Sequence, residues 1–98
     1  MFIISITYKV ELKEVDKIID QHVAYLEKHY ALGHFIASGR KVPRTGSIIL
    51  ANSSSREELD SIIEKDPLFI ANVADYDVTE FIPTMTAKGF ESLKAYIQ

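Results

Sequence analysis

The chain contains no cysteine, which excludes disulfides, thiolate catalysis and cysteine metal sites and fits a reducing cytoplasm, where we expect the protein. No stretch approaches the roughly 20 apolar residues of a membrane span, and the apolar start at residues 1–4 is too short for a signal peptide. A net charge of −3 lacks the basic excess of most nucleic-acid-binding proteins. Phosphate-binding glycine loops are also missing. We therefore expect no cofactor, no nucleic acid partner and no association with a membrane.

The composition that is present is that of one ordinary globular domain. Of the 98 residues, 47% are hydrophobic and 26% are charged, a balance unlike that of disordered chains. A domain of this size has a modest core, so a partner subunit would add to its stability. We treat residues 1–98 as a single domain, with a core over residues 2–82 and a C-terminal helical extension over residues 84–98.

Strand and helix patterns alternate along the chain. They predict strands over residues 2–9, 34–41, 47–51 and 73–82, and helices over residues 11–32, 55–65 and 86–98. Residues 42–46 have turn chemistry, so the second and third strands should form a hairpin. Ser55 and Glu58 have the spacing of a capping box, and Asp66-Pro67 can begin a short helical turn.

This order of elements, β-α-β-β-α-β, predicts an α+β fold of the ferredoxin-like type, in which two helices cover one face of an antiparallel sheet. The other face would remain uncovered, yet Ile3 and the strand over residues 47–51 place apolar side chains on it. A large exposed apolar face is unusual on a soluble monomer. We therefore predict a homodimer that packs sheet to sheet.

His22 and Asp66 are the candidate catalytic residues. His22 lies on the apolar side of the first predicted helix, where a histidine is more often a hydrogen-bonded core residue than a catalyst. Asp66 has its own structural explanation as a helix cap. If the two side chains meet, the carboxylate would fix the imidazole tautomer and the second ring nitrogen could exchange a proton with a ligand.

Covalent catalysis is disfavoured because the sequence offers no clear nucleophile. There is no cysteine nucleophile, and Ser38 lacks the strand-turn-helix elbow of serine hydrolases. Acid–base chemistry or simple ligand binding remains. We assign substrate binding to Ser38, Gly39 and Arg40, because Arg40 can hold an anionic group, although a solvated hairpin is the simpler explanation of its charge.

A metal site is not expected. His22 and His29 lie two helical turns apart, on the order of 10 Å, which is too far to share one ion. We interpret His29 and His34 as solvent-facing polar residues. Tyr8 and Tyr76 alternate with apolar residues and are predicted to be core or dimer-interface aromatics.

Several short segments together resemble the YciI-like (YCII-related) family. They are His22 followed by Leu26, the strand Ala37-Ser38-Gly39 after a helix-ending glycine, Asp66-Pro67 with Leu68-Phe69, and the closing strand over residues 76–81. The resemblance covers residues 2–82. It implies a dimeric ferredoxin-like α/β barrel with a site built around His22 and Asp66, in a family that includes an enzyme removing chloride from a chlorinated aromatic diol. Two features depart from the family pattern, namely the short hairpin and the tail beyond Pro83.

Two functional classes stay open at this point. The first is a small-molecule enzyme of the lyase, isomerase or hydrolase type, with His22 as general base and Asp66 orienting it. The second is a non-catalytic domain that binds a small ligand or serves dimeric assembly. An accessible His22 within hydrogen-bond reach of Asp66 in a cleft would favour the first, whereas a sealed His22 bonded only to backbone would favour the second.

Overall fold

A computed structural model describes residues 1–96 of the chain. Its elements are the strands β1 (Phe2–Tyr8), β2 (Phe35–Arg40), β3 (Gly46–Ala51) and β4 (Ala74–Glu80), the helices α1 (Leu12–Asp16), α2 (Ile19–Ala31), α3 (Arg56–Ile63) and α4 (Pro67–Ile70), and a 3₁₀-helix at Glu91–Tyr96. All four predicted strands are present within two residues of their predicted bounds, because alternation of apolar and polar residues marks them clearly.

The four strands form one antiparallel sheet in the order β2-β3-β1-β4. The first strand therefore lies in the interior of the sheet, paired with β3 on one side and β4 on the other. Together with the intervening helices, this order confirms the predicted ferredoxin-like α+β fold. It also places β2 and β3 next to each other as the predicted hairpin.

Alternation along β1 separates a covered face from an open one. Phe2, Ile4 and Ile6 are at most 1% exposed and form the main core with residues of α2 and α3. Ile3, which points the other way, is 36% exposed, and Ile48 on β3 is 37% exposed. Burial of the first set favours folding by about 25 cal/mol per Å² of apolar surface removed from water. The helices thus cover one face of the sheet only.

The predicted helix over residues 11–32 is broken in two. α1 ends with a short-range bond from the Ile18 backbone N–H to the Val15 carbonyl, and α2 begins at Ile19. The break lets Val15 pack into a second small core with Leu68 and Val73. A straight helix would place Val15 and His22 on one stripe facing one surface, whereas the bend lets them bury against different neighbours.

The second half of the fold begins with the predicted caps. The Ser55 side chain accepts a hydrogen bond from the Glu58 backbone N–H and starts α3. The Glu58 carboxylate bonds the hydroxyls of Ser53 and Ser54 instead of closing the reciprocal capping box. Asp66 caps α4, with Pro67 at its first position. These local signals confirm both helix starts.

The C-terminal tail differs from its prediction. No helix occupies residues 81–90, and the tail contains only the 3₁₀-helix at Glu91–Tyr96 within the described part of the chain. Gly89 has a φ of 95°, which is incompatible with a right-handed helix, and its N–H is bonded by the Glu91 side chain. Residues 97–98 of the predicted helix lie outside the described residues.

Candidate active site

His22 and Asp66 meet in the interior. Nδ1 of His22, on α2, lies 2.8 Å from Oδ1 of Asp66, which caps α4. The two residues are 44 positions apart in sequence and are only 4% and 1% exposed. The contact forms because α2 packs against α4, so the residue that starts the short helix faces the middle of the long one. The structure thus brings together the two predicted catalytic residues.

Three donors hold the Asp66 carboxylate. Oδ1 accepts from His22 Nδ1 and from the Leu68 backbone N–H at 3.0 Å, and Oδ2 accepts from the Tyr76 hydroxyl at 2.6 Å. A buried carboxylate is tolerated only when such bonds replace its hydration. Capping and histidine orientation are therefore compatible roles for Asp66.

Tyr76, on β4, is the part of this network that the sequence prediction missed. Burial, and next the negative charge of Asp66, raise the pKa of the Tyr76 hydroxyl well above its usual value, so it remains a donor. Tyr76 was predicted to be a core or dimer-interface aromatic, and its hydrogen bond to Asp66 was not predicted. The available signal was its place on the helix-facing side of β4, six residues after the end of α4.

The network fixes the tautomer of His22. An ionised Asp66 can only accept, so Nδ1 of the neutral imidazole carries the proton and Nε2 carries the lone pair. Tyr25, on the next turn of α2, stacks on the His22 ring with centroids 6.1 Å apart and donates to the Ile62 carbonyl at 2.8 Å. Burial, followed by the charge of Asp66, raises the pKa of Tyr25, so that hydroxyl also stays a donor. The imidazole is therefore held on two sides.

His22 also lines a cavity of about 300 Å³ between α2 and the β2–β3 hairpin. This volume lies at the lower end of the roughly 300–1,000 Å³ typical of small-molecule pockets. The apolar part of its wall is formed by Ile19, Val23, Leu26 and Ile49, and the remainder by Tyr8, His22, Ser38, Gly39, Arg40, Arg44 and Ser47. The wall of the cavity thus combines apolar side chains with several polar groups.

The three predicted substrate-binding residues all line this cavity. Ser38, Gly39 and Arg40 occupy the end of β2, and the Ser38 hydroxyl lies 2.6 Å from the hydroxyl of Tyr30. Arg44 and Ser47 were not predicted to belong to the site. Arg44 lies in the hairpin loop, and its pKa is raised by its hydrogen bond to Asp16 at 2.6 Å.

The interpretation of His29 as solvent-facing is wrong. It is 2% exposed, and its Nδ1 lies 2.9 Å from Nδ1 of His34. Its ring packs against Tyr25 and Phe35, with centroids 4.6 and 5.3 Å away. Burial first, and then the nearby His34, lower its pKa. The ring is buried because His29 lies on the same side of α2 as His22 and Tyr25, a position that the helical period alone would have placed in the core.

The described part of the chain contains neither a cluster of metal ligands nor a helix that could span a membrane. Within residues 1–96, no group of three or more His, Asp or Glu side chains is arranged to hold a metal ion. No helix among the described residues has the length and apolar character needed to cross a bilayer. Absence of a metal requirement stays a prediction.

Comparison with known proteins supports the assignment of the family. The model of the YCII-related domain matches residues 1–82, so the chain belongs to the YCII-related family. Among solved structures, it is similar to 5-chloro-2-hydroxyhydroquinone dehydrochlorinase (TftG) from Burkholderia phenoliruptrix AC1100 in complex with 2,5-dihydroxybenzoquinone. The two share 23% sequence identity and a TM-score of 0.73 over 82% of this chain and 91% of that one, which shows a common fold. None of the curated proteins compared with the chain matches it.

Proposed function

We propose that the protein is a small-molecule enzyme that uses His22 as a general acid–base group oriented by Asp66. The observation that carries the proposal is the 2.8 Å bond between these side chains at the wall of a cavity. A base held in one tautomer beside a cleft is the arrangement that proton abstraction requires. Tyr76 and the Leu68 backbone N–H act as positioning groups for the carboxylate.

In the proposed proton transfer the bond between His22 and Asp66 stays in place. Nε2 of His22 takes a proton from a carbon or hydroxyl of the ligand, while the Nδ1 proton stays bonded to Asp66. The imidazolium formed is stabilised by the adjacent carboxylate. The proton can then return to another ligand atom, which is isomerisation, or the ligand can expel a leaving group, which is elimination. Activation of water by the same nitrogen would give hydrolysis.

Elimination is the variant best supported by similarity. The similar structure is named a dehydrochlorinase, and its bound molecule is a dihydroxybenzoquinone. Loss of hydrogen chloride requires a base for the proton, and His22 supplies one. Ser38, Gly39 and Arg40 are proposed to contact the ligand, because all three face the same cavity as His22.

A second candidate is a domain that binds a small ligand without turnover. The cavity and the partly apolar wall support it as well as they support an enzyme. The two candidates differ in what His22 and Asp66 do. In a binder the pair would serve packing and ligand contact only, so replacing either residue would change affinity without changing any rate.

We further propose a homodimer that buries the open sheet face. Across β2, β3 and β1 this face presents a row formed by Ala37, Leu50 and Ile3, with Ile48 in the adjacent row. At the β4 edge it becomes acidic, with Asp75 and Asp77. Pairing the apolar rows of two copies would remove from water apolar side chains that the helices leave uncovered. The resemblance to the YCII-related family, which implies a dimeric α/β barrel, supports the same assembly.

The experiment that tests the enzyme proposal compares His22→Gln and Asp66→Asn with the wild type. Each protein is incubated with a panel of halogenated and non-halogenated hydroxybenzenes, and chloride release and exchange of ligand hydrogens with deuterium are followed. Loss of turnover by about 10²–10⁴-fold in both variants, with ligand binding retained, is expected for a general base and its orienting carboxylate. His34→Gln is the matched control and should retain the wild-type rate. Equal rates in all four proteins would contradict the proposal.

A further inference from the structure

Ser47 and Arg40 lie directly opposite each other on the cavity side of the hairpin. The β2–β3 register pairs Arg40 with Ser47 and Ser38 with Ile49. Residues opposite each other in an antiparallel pair point to the same face of the sheet, with Cβ atoms about 4.5–5.5 Å apart. Both residues line the cavity that contains His22. A hydroxyl and a guanidinium are thus presented side by side.

The Ser47 hydroxyl makes no hydrogen bond within the part of the chain that the structure describes. Its Oγ is buried and has no hydrogen-bond partner within residues 1–96. An unsatisfied buried hydroxyl destabilises a fold, and alanine would fill almost the same space without that cost. Ser38, by contrast, is bonded to Tyr30. The described residues therefore supply no hydrogen-bond partner for the Ser47 hydroxyl.

The charge at this end of the cavity is also uncompensated. Of the three arginines, Arg44 is paired with Asp16 and Arg56 with Asp60, whereas Arg40 has no carboxylate partner among the described side chains. None of the described residues that line the cavity is acidic. One net positive charge therefore faces it from the hairpin, beside a hydroxyl that can donate a hydrogen bond.

We infer that the ligand of this cavity is a small monoanionic organic acid, whose anionic oxygen is bound by Arg40 and Ser47 and whose apolar body lies against Val23, Leu26 and Ile49. The inference rests on the proposed function, because it assigns the orientation of a ligand within the His22 cavity. It makes Ser47 a residue that determines specificity. A planar guanidinium with a neighbouring hydroxyl matches the two oxygens of a carboxylate, and an ionised phenol or enol oxygen would use the same donors. The cavity volume of about 300 Å³ restricts the ligand to a small molecule.

Matched pairs of acids and neutral amides test the inference. Benzoate and benzamide, and butyrate and butyramide, are titrated at millimolar concentration into the wild type while the ring signals of His22 are followed by NMR. We expect each acid to bind about tenfold or more tightly than its amide, since a charge-assisted bond to Arg40 is available only to the acid. The aromatic and aliphatic pairs show which body shape the apolar wall prefers.

Three variants assign the effect to its residues. Arg40→Gln should abolish the preference for acids, and Ser47→Ala should weaken acid binding several-fold while leaving thermal stability unchanged or raised. Arg56→Gln, which removes a cation outside the cavity, should behave as the wild type. Stability lost in Ser47→Ala in parallel with affinity would show a structural hydroxyl and overturn the assignment.

The two proposals fail in different ways. Equal binding of acids and amides by the wild type, with His22 signals shifted, would overturn the anionic ligand and leave the proposed active site intact. Acid binding that shifts Arg40 signals but not His22 signals would overturn the proposed active site. No binding of any of the four probes would overturn the inference as stated.

Discussion

The hydroxyl of Tyr76 donates a 2.6 Å hydrogen bond to Oδ2 of Asp66, and the other oxygen of that carboxylate faces Nδ1 of His22. The edge strand β4 thereby controls the orientation of a histidine on α2. This relationship joins two consecutive elements, α4 and β4, to α2, which lies far from both in the sequence. We therefore expect a change at Tyr76 to alter the orientation of the imidazole through Asp66.

Tyr76→Phe is expected to reduce the free energy of unfolding by about 1–3 kcal/mol, because Oδ2 of Asp66 would lose its donor inside the protein. Turnover or ligand affinity at His22 should fall as well, since the carboxylate becomes free to rotate. Urea unfolding measures the first effect and the NMR titration described above the second. Tyr30→Phe, which removes an exposed hydroxyl bonded to Ser38, serves as the control for stability. An equally stable Tyr76→Phe protein would show that the bond contributes nothing to the fold.

Acid should destabilise the fold through His29. Its folded-state pKa lies below the ordinary value of 6.5, because burial, the neighbouring His34, and the charges of Lys28 and Lys65 outweigh the attraction of Asp66. The unfolded chain then binds more protons than the folded one below pH 6.5, so stability is full above that pH and falls as the pH decreases.

Urea unfolding between pH 7.5 and 5, in wild type and His29→Phe, measures this contribution. The phenylalanine ring keeps the aromatic packing and removes the titration, so its stability should depend less steeply on pH. Parallel pH profiles for the two proteins would assign the acid sensitivity to other groups.

Gly46→Ala should be strongly destabilising. A Cβ at position 46 would overlap the carbonyl oxygen of Ile6 on the paired strand β1, and the backbone must move to relieve the contact. We expect a loss of about 1–3 kcal/mol or more, as for other overpacked interiors. Gly39→Ala is the matched control, because its Cβ would meet nothing within 4 Å. Thermal unfolding compares the two, and similar melting temperatures would contradict the close approach of the strands.

Light scattering should give the mass of a dimer at micromolar concentration. Ile48→Glu, which places a charge in the centre of the open sheet face, should convert the protein to a monomer without unfolding it. Val42→Glu changes an almost fully exposed residue of the hairpin loop, which is 92% exposed, and should leave the dimer intact. A monomeric wild type would refute the proposed sheet-to-sheet assembly.

The fold was predictable from the sequence because its signals are local. Alternation along the strands, the Ser55 cap and Asp66-Pro67 each act within a few residues, and their order limits the topology. The break at Ile18 was not predictable, because the residues on both sides continue a helical period and only packing of Val15 against Leu68 separates them. The tail was predicted as a helix from residue 86, although a glycine at position 89 disfavours the interior of a helix. The structure has only a 3₁₀-helix at Glu91–Tyr96 among the described residues.

The candidate site was likewise predictable only in part. The pairing of His22 with Asp66 was a hypothesis that depended on how α2 packs on α4, and no local pattern contains that distance. The bond from Tyr76 and the buried state of His29 were missed because both depend on tertiary contacts. Arg40 and Ser38 were chosen for their chemistry, and the structure places them on the wall that His22 shares.

The two halves of the site come from separate parts of the chain. His22, Asp66 and Tyr76 belong to two helices and an edge strand, whereas Ser38, Arg40, Arg44 and Ser47 belong to one hairpin. Insertions or substitutions in that hairpin can therefore change which ligand is bound, while His22 and Asp66 remain unchanged. A scaffold built this way can diversify by exchanging a single contiguous segment, and grafting the hairpin of one relative onto another becomes a direct route to altered selectivity.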